Sequence, residues 1–148
     1  MSSAPPVTVT VKRRFAAPAE QVFDAWLEPK LVAQWMFGPN VRDEEIVRIS
    51  IDPRVGGLFS FVVRRQGQEI DHVGEYLEIE RPRRLAFTWA VGKRTPDDTR
   101  VVIDIAPVGA GCELALRHER VWADYESRTA QGWTAMLEAV SRLLAARG

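Results

Sequence analysis

The stretch that decides the fold reads Arg81-Pro82-Arg83-Arg84-Leu85-Ala86-Phe87-Thr88-Trp89, and it follows Gly74-Glu75-Tyr76-Leu77-Glu78-Ile79. It predicts a strand that ends, turns at a proline and returns as a second strand. Leu85, Phe87 and Trp89 alternate with smaller residues, and this period of two is typical of a strand with one buried face. Large aromatic side chains on one sheet face either fill a core or line an apolar pocket, and both interpretations stay open here.

The residues on either side extend this hairpin into a series of strands. In the segment 45–51, the alternation predicts that Val47, Ile49 and Ile51 share one face. Turns rich in glycine or proline separate the segments, and consecutive strands joined by short turns pair antiparallel. The predicted strands are 7–15, 45–51, 58–65, 70–79, 85–91, 99–106 and 112–118.

Helical periodicity interrupts this pattern near the start of the chain and replaces it at the end. Pro18 suits the first position of a short helix, and Pro29 opens a second short helix that runs to Trp35. A long helix is predicted from about Asp124 to Ala146, with Asp124 as its N-cap. Its apolar face comprises Trp133, Met136, Leu137, Val140, Leu143 and Leu144.

This order of elements predicts an α+β fold. A curved antiparallel sheet of seven strands should wrap around the long C-terminal helix, because a long helix with one apolar face must cover the apolar side of the sheet. The 148 residues are enough for one domain with a real core. We predict a flexible tail over residues 1–6 and a single domain over residues 7–148.

Composition narrows the classes of function. Twenty basic residues balance twenty acidic ones, whereas binding to nucleic acid needs a basic surplus. The single cysteine, Cys112, cannot form an intrachain disulfide, and we expect it to be a small buried residue. The sequence lacks the pattern of a signal peptide and has no apolar run approaching ~20 residues. We therefore predict a soluble cytoplasmic protein that neither binds nucleic acid nor inserts into a membrane.

The candidate binding residues are mostly apolar. A pocket between the sheet and the helix would have mostly apolar walls with a few polar groups. Simple core packing is the alternative for each of these side chains, since aromatic residues dominate cores. The apolar candidates are Trp35, Phe59, Phe61, Phe87, Trp89, Trp133, Met136 and Leu137.

His72, Glu75 and His118 are the polar candidates. His118 shares a strand face with apolar residues and should point inward, where it would serve either a ligand or a buried protein neighbour. Strict alternation places Glu75 and Glu78 on opposite faces of one strand, so one of them could face the interior as an acid or base. A solvated edge is the alternative. Neither histidine has metal-ligand spacing, so no metal site and no cofactor are predicted.

Several pieces of the sequence, taken in order, resemble a known family. They are similar to the START-like or SRPBCC superfamily, in the branch of homologues of the activator of the heat-shock-protein-90 ATPase. The resemblance covers roughly residues 8–146. The matching pieces are Phe15–Trp26, Pro29–Trp35, the turn Asp52-Pro53-Arg54-Val55-Gly56-Gly57, the hairpin Gly74–Trp89 and the helix segment Gly132–Leu137.

The resemblance implies a cavity between sheet and helix that binds a small hydrophobic or amphipathic molecule. It leaves two other functions open: an enzyme similar to the cyclases or aromatases of polyketide-like substrates, and a chaperone ATPase cofactor that contacts the chaperone. A homodimer stays open as well. After His118, the family often has a glycine and an apolar residue near the cavity mouth, where this chain has Glu119-Arg120.

Overall fold

A computed structural model describes residues 5–39, 41–95 and 98–147. Within them, the strands and helices follow the predicted order and bounds closely. The strands are β1 (Val7–Phe15), β2 (Glu45–Ile51), β3 (Leu58–Arg65), β4 (Gln68–Glu80), β5 (Arg84–Val91), β6 (Thr99–Val108) and β7 (Gly111–Val121). The helices are α1 (Ala19–Asp24), α2 (Pro29–Trp35) and α3 (Glu126–Arg147), and a 3₁₀ turn (Ala123–Tyr125) precedes α3.

The seven strands form one antiparallel sheet in the order β1-β7-β6-β5-β4-β3-β2. Neighbours from β2 to β7 are consecutive in sequence because short turns join them. At the tightest of these turns, Gln66 and Gly67 both have positive φ, 52° and 79°, as a two-residue hairpin loop requires. The two short helices separate β1 from β2, and these two strands form the opposite edges of the sheet. The predicted fold class is confirmed.

Helix α3 covers one face of this sheet, and α1 and α2 pack beside it. Trp133, Leu137, Val140 and Leu144 of the predicted apolar face are buried, whereas Met136 and Leu143 are partly buried against the core. This face therefore has the predicted composition. No described helix is both long and apolar enough to cross a membrane.

Two helix starts differ from the prediction. Pro18 is the N-cap of α1 and does not occupy its first helical position, since the amides of Gln21 and Val22 bond to the Pro18 carbonyl. Asp124 is not the N-cap of α3, because the chain first makes the 3₁₀ turn and the α-helix begins at Glu126. A tighter turn before a helix is common, and sequence periodicity does not locate it.

The predicted shared face of β2 is wrong at Val47. The pairing of β2 with β3 shifts between Ile46 and Arg48, so Val47 is the extra residue of a β-bulge. As a result, Val47 is exposed, while Ile46, Ile49 and Ile51 pack against the core. The turn 52–57 forms as predicted, but the Asp52 carboxylate accepts the Arg54 Nε–H and does not cap backbone amides.

Candidate functional site

The predicted aromatic residues come together between the sheet and α3. Phe59 and Phe61 of β3 stack with ring centroids 4.7 Å apart, and Phe59 meets Phe87 of β5 at 5.5 Å. Trp89 extends this row and contacts Trp133 of α3 at 6.1 Å. The strand register explains the arrangement, since alternate residues of neighbouring strands point to the same face.

Most of this cluster is closely packed core. Trp35 is fully buried and donates its indole N–H to the Ala25 carbonyl at 2.8 Å. Trp35 also packs edge-on against Trp26 at 4.6 Å, and Trp26 contacts Trp133 at 5.9 Å. Leu137 is buried in the same core, and Met136 packs at its margin. These side chains pack as core residues at the centre of the domain, and a pocket lies at one end of the aromatic cluster.

That pocket has a volume of about 390 Å³ and is formed where β5 ends, β6 begins and β7 leads into α3. Trp89 and His118 are the two predicted site residues in its wall. The residues that line it are Trp89, Ala90, Val91, Lys93, Thr95, Asp98, Thr99, His118, Arg120, Val121, Trp122, Tyr125 and Thr129.

The pocket contains aromatic residues that the sequence analysis missed. Trp122 and Tyr125 lie between β7 and α3 with ring centroids 6.1 Å apart, and they are 51% and 45% exposed. Arg128 lies over the Tyr125 ring at 5.6 Å. The signal in the sequence was two aromatic residues beyond the last strand: Trp122 precedes the predicted helix, and Tyr125 stands in its first turn but outside its predicted apolar face.

A bulge at the end of β7 shapes the pocket wall. The pairing of β1 with β7 shifts between Val7 and Val9, and Arg120 has a φ of 68°, which is uncommon for a residue other than glycine. The extra residue breaks the alternation, so that both His118 and Val121 are buried. Arg120 also lines the pocket.

His118 points inward, as predicted, and both of its ring nitrogens are bonded to protein groups. Trp133 Nε1 lies 3.0 Å from His118 Nδ1, and His118 Nε2 lies 2.8 Å from Thr99 Oγ1. Thr99 Oγ1 is in turn 2.9 Å from the Trp89 carbonyl oxygen. Residues from β5, β6, β7 and α3 thereby form one hydrogen-bonded chain, which we call the His118 chain. Burial lowers the pKa of His118 to about 4, so the ring is neutral at pH 7.

His72 is the second buried histidine, and it lies outside the pocket. Its Nδ1–H donates to the Phe61 carbonyl at 3.0 Å, and its ring packs against Phe37 at 4.6 Å and Trp89 at 5.6 Å. Burial lowers the pKa of His72 and outweighs the hydrogen bond to the Phe61 carbonyl, which raises it. His72 therefore stays neutral as a packed core residue.

The prediction that Glu75 and Glu78 lie on opposite faces of β4 is wrong. The pairing of β4 with β5 shifts between Tyr76 and Glu78, which puts both carboxylates on the outer face of the sheet. Glu75 forms an ion pair with Arg94, and Glu78 forms one with Arg84 at 3.2 Å. Glu75 consequently lies apart from the aromatic cluster and the pocket.

A buried carboxylate that the sequence analysis overlooked lies at the far side of the sheet. Glu44 accepts the Gly38 amide at 2.9 Å, Arg42 Nη1 at 3.1 Å, and Arg65 Nη2 and Nε at 2.7 and 3.2 Å. Burial alone would raise the pKa of Glu44, but these donors outweigh it and lower that pKa. In the sequence, Glu44 stands among charged neighbours and resembles a solvated residue. We call this group the Glu44 cluster.

The fold is that of a helix-grip protein of the START-like superfamily. The chain belongs to the family described as activator of Hsp90 ATPase homolog 1-like protein, which matches residues 16–145. No curated protein matched the chain.

Solved structures share this fold. One from Chromobacterium violaceum is 26% identical with a TM-score of 0.79, over 92% of this chain and 95% of that one. One from Rhodobacter sphaeroides is 24% identical with a TM-score of 0.82, over 99% and 97%. The AHSA1-like protein from Aeromonas hydrophila is 21% identical with a TM-score of 0.79, over 96% and 94%.

Proposed function

We propose that this protein binds a small amphipathic molecule in the pocket between β5, β6, β7 and the start of α3. The observation that carries the proposal is the placement of exposed apolar side chains. Among the described residues, seven large hydrophobic residues are exposed, and three of them, Val91, Trp122 and Tyr125, line this one pocket. Exposed apolar surface gathered in a concave site gains free energy when a ligand covers it.

The size and chemistry of the pocket support the same proposal. A volume of about 390 Å³ lies within the range of small-molecule sites, which runs from roughly 300 to 1,000 Å³. Apolar walls surround a few polar groups. Two of these belong to the His118 chain: Thr99, which is partly buried, and His118, which is buried. Such a combination suits a ligand with an apolar body and one polar group.

The enzymatic alternative would need an acid–base group that can exchange protons with the ligand. Both nitrogens of His118 already bond to Trp133 and Thr99, and Glu75 pairs with Arg94 away from the pocket. These two predicted acid–base candidates therefore give no support to catalysis, and we propose binding alone. A role as a chaperone cofactor rests on the family name.

Fluorescence titration with N-phenyl-1-naphthylamine, a neutral hydrophobic probe, tests the proposal. We expect saturable binding that weakens in Trp122→Ser and in Val91→Ser, because both changes remove apolar pocket surface. Val55→Ser is the matched control, since Val55 is 64% exposed, Val91 is 63% exposed, and only Val91 lies in this pocket. Absence of saturable binding, or equal weakening by Val55→Ser, would contradict the proposal.

A further inference from the structure

The direction of every proton in the His118 chain follows from its two ends. An indole N–H can only donate, so Trp133 donates to His118 Nδ1. A neutral histidine whose Nδ1 accepts carries its proton on Nε2, and His118 therefore donates to Thr99 Oγ1. At the other end a carbonyl can only accept, so the Thr99 hydroxyl donates to the Trp89 oxygen. The described contacts allow no other assignment, and burial, which favours the neutral ring, agrees with it.

This assignment fixes what the chain offers to a ligand. Both ring nitrogens of His118 and the single hydroxyl proton of Thr99 are used within the protein. A hydroxyl oxygen has two lone pairs, and His118 occupies one of them on Thr99. Thr99 lines the pocket and is only partly buried, so its second lone pair can face a bound molecule. At this point the pocket presents an acceptor and no donor.

Resting on the binding function proposed above, we propose that Thr99 selects ligands that carry a neutral hydrogen-bond donor, such as a hydroxyl or an amide N–H, on the end that enters the pocket. A ligand that offers only an acceptor at this end would place two lone pairs against each other and lose its hydration without replacement. Lys93 and Arg120 also line the pocket and are exposed, and Arg120 Nη1 donates to the Asp98 carbonyl at 3.3 Å.

Displacement of bound N-phenyl-1-naphthylamine by two matched competitors tests this selection. We expect 2-naphthol, which donates a hydrogen bond, to displace the probe about threefold to tenfold more effectively than 2-methoxynaphthalene, which can only accept. Equal displacement by the two compounds would overturn the selection while leaving the binding function intact. Failure of the probe itself to bind would overturn the binding function and the selection with it.

Three variants locate the preference. Thr99→Val removes the hydroxyl at similar shape and should abolish the advantage of 2-naphthol, whereas Thr99→Ser should keep it. Thr129→Val is the matched control, because Thr129 also lines the pocket but lies on α3, outside the His118 chain. An advantage of 2-naphthol that persists in Thr99→Val would contradict the assignment.

Nitrogen-15 NMR of the histidine rings gives an independent measurement on the unaltered protein. The assignment requires that His118 carry its proton on Nε2, and His72 should carry its proton on Nδ1, where it donates to the Phe61 carbonyl. The two rings therefore serve as mutual controls in one spectrum. A proton on Nδ1 of His118 would overturn the proposed selection. This result does not depend on the folding of any variant, because the unaltered protein is measured.

Discussion

The Glu44 cluster and the His118 chain are two buried polar groups that differ in charge and in their position relative to the pocket. In the Glu44 cluster, one carboxylate accepts hydrogen bonds from a backbone amide and from two arginines. In the His118 chain, four neutral groups pass hydrogen bonds in one direction. The Glu44 cluster is charged and does not line the pocket, whereas the His118 chain is neutral and borders it.

The difference lies in where unused hydrogen-bonding capacity remains. A buried carboxylate is costly unless several donors surround it, and the donors around Glu44 hold the segment after α2 against β3. A neutral chain has a much lower cost of burial, so the fold can leave one lone pair of Thr99 available at the pocket. We infer that the Glu44 cluster serves stability and that the His118 chain also serves recognition.

The largest effect should come from Glu44→Ala. The change leaves the Gly38 amide without its acceptor and places the charges of Arg42 and Arg65 side by side. We expect the free energy of unfolding to fall by about 3–4 kcal/mol, measured by chemical denaturation.

Glu45→Ala is the matched control for this experiment. Glu45 is the next residue, and its carboxylate is exposed and 3.5 Å from Arg64. Its removal should change stability by less than about 0.5 kcal/mol, since exposed ion pairs contribute little. Similar losses in the two variants would show that burial of Glu44 has no special role.

As the pH falls, His118 should lower the free energy of unfolding at a higher pH than Glu44 does. The pKa of His118 falls from 6.5 to about 4 on folding, so in this window the unfolded state binds the extra proton and stability decreases as the pH falls. A difference of roughly 2.5 in pKa corresponds to about 3 kcal/mol. The pKa of His72 is also lowered and adds to this slope in the same direction.

The contribution of Glu44 is lost only at lower pH. Its folded pKa is lowered below 4.5, so its stabilising effect is present above that value and disappears as the pH falls through the folded pKa. Denaturation midpoints at several pH values between 7 and 4 measure the histidine part. A stability that stays constant over this interval would contradict the buried neutral state of His118.

His118→Phe separates the chain from the rest of the core. Phenylalanine fills a similar space, but Trp133 loses its acceptor and Thr99 loses its donor. We expect a loss of about 1–3 kcal/mol at pH 7, measured by denaturation, together with a shallower dependence of stability on pH. An unchanged stability and an unchanged slope would mean that the chain is not formed in solution.

Local sequence patterns predicted the fold and part of the His118 chain, but no member of the Glu44 cluster. Period-two alternation located the strands and the inward direction of His118, because burial of one sheet face imposes that pattern. The same rule failed at Val47 and at Leu77, where bulges insert a residue, and bulges depend on pairing with the neighbouring strand. Alternation is therefore reliable only within an unbroken ladder.

The partners of the polar groups could not be predicted in this way. Arg65 is separated from Glu44 by 21 residues, and Trp133 is separated from His118 by 15. Such contacts depend on how the sheet is ordered and where α3 crosses it. Glu44 looked solvated because its neighbours in sequence are charged, yet Arg65, which supplies two of its four hydrogen bonds, lies on β3. The pocket at the end of β5 could not be located in this way either, since only Trp89 and His118 of the predicted site residues lie in its wall.

The smallest effect tests the geometry of the Glu44 cluster. Arg65 contacts one oxygen of Glu44 with both Nε and Nη2, at 3.2 and 2.7 Å, and a lysine ammonium cannot reproduce this planar fork. We expect Arg65→Lys to lower the free energy of unfolding by about 1 kcal/mol, because the charge is retained and one hydrogen bond is lost. Arg64→Lys is the matched control, since Arg64 is exposed and pairs with Glu69 at 3.1 Å on the surface. Equal stability of the two variants would mean that charge alone maintains the cluster. The geometry of the Arg65 hydrogen bonds would then contribute nothing to stability.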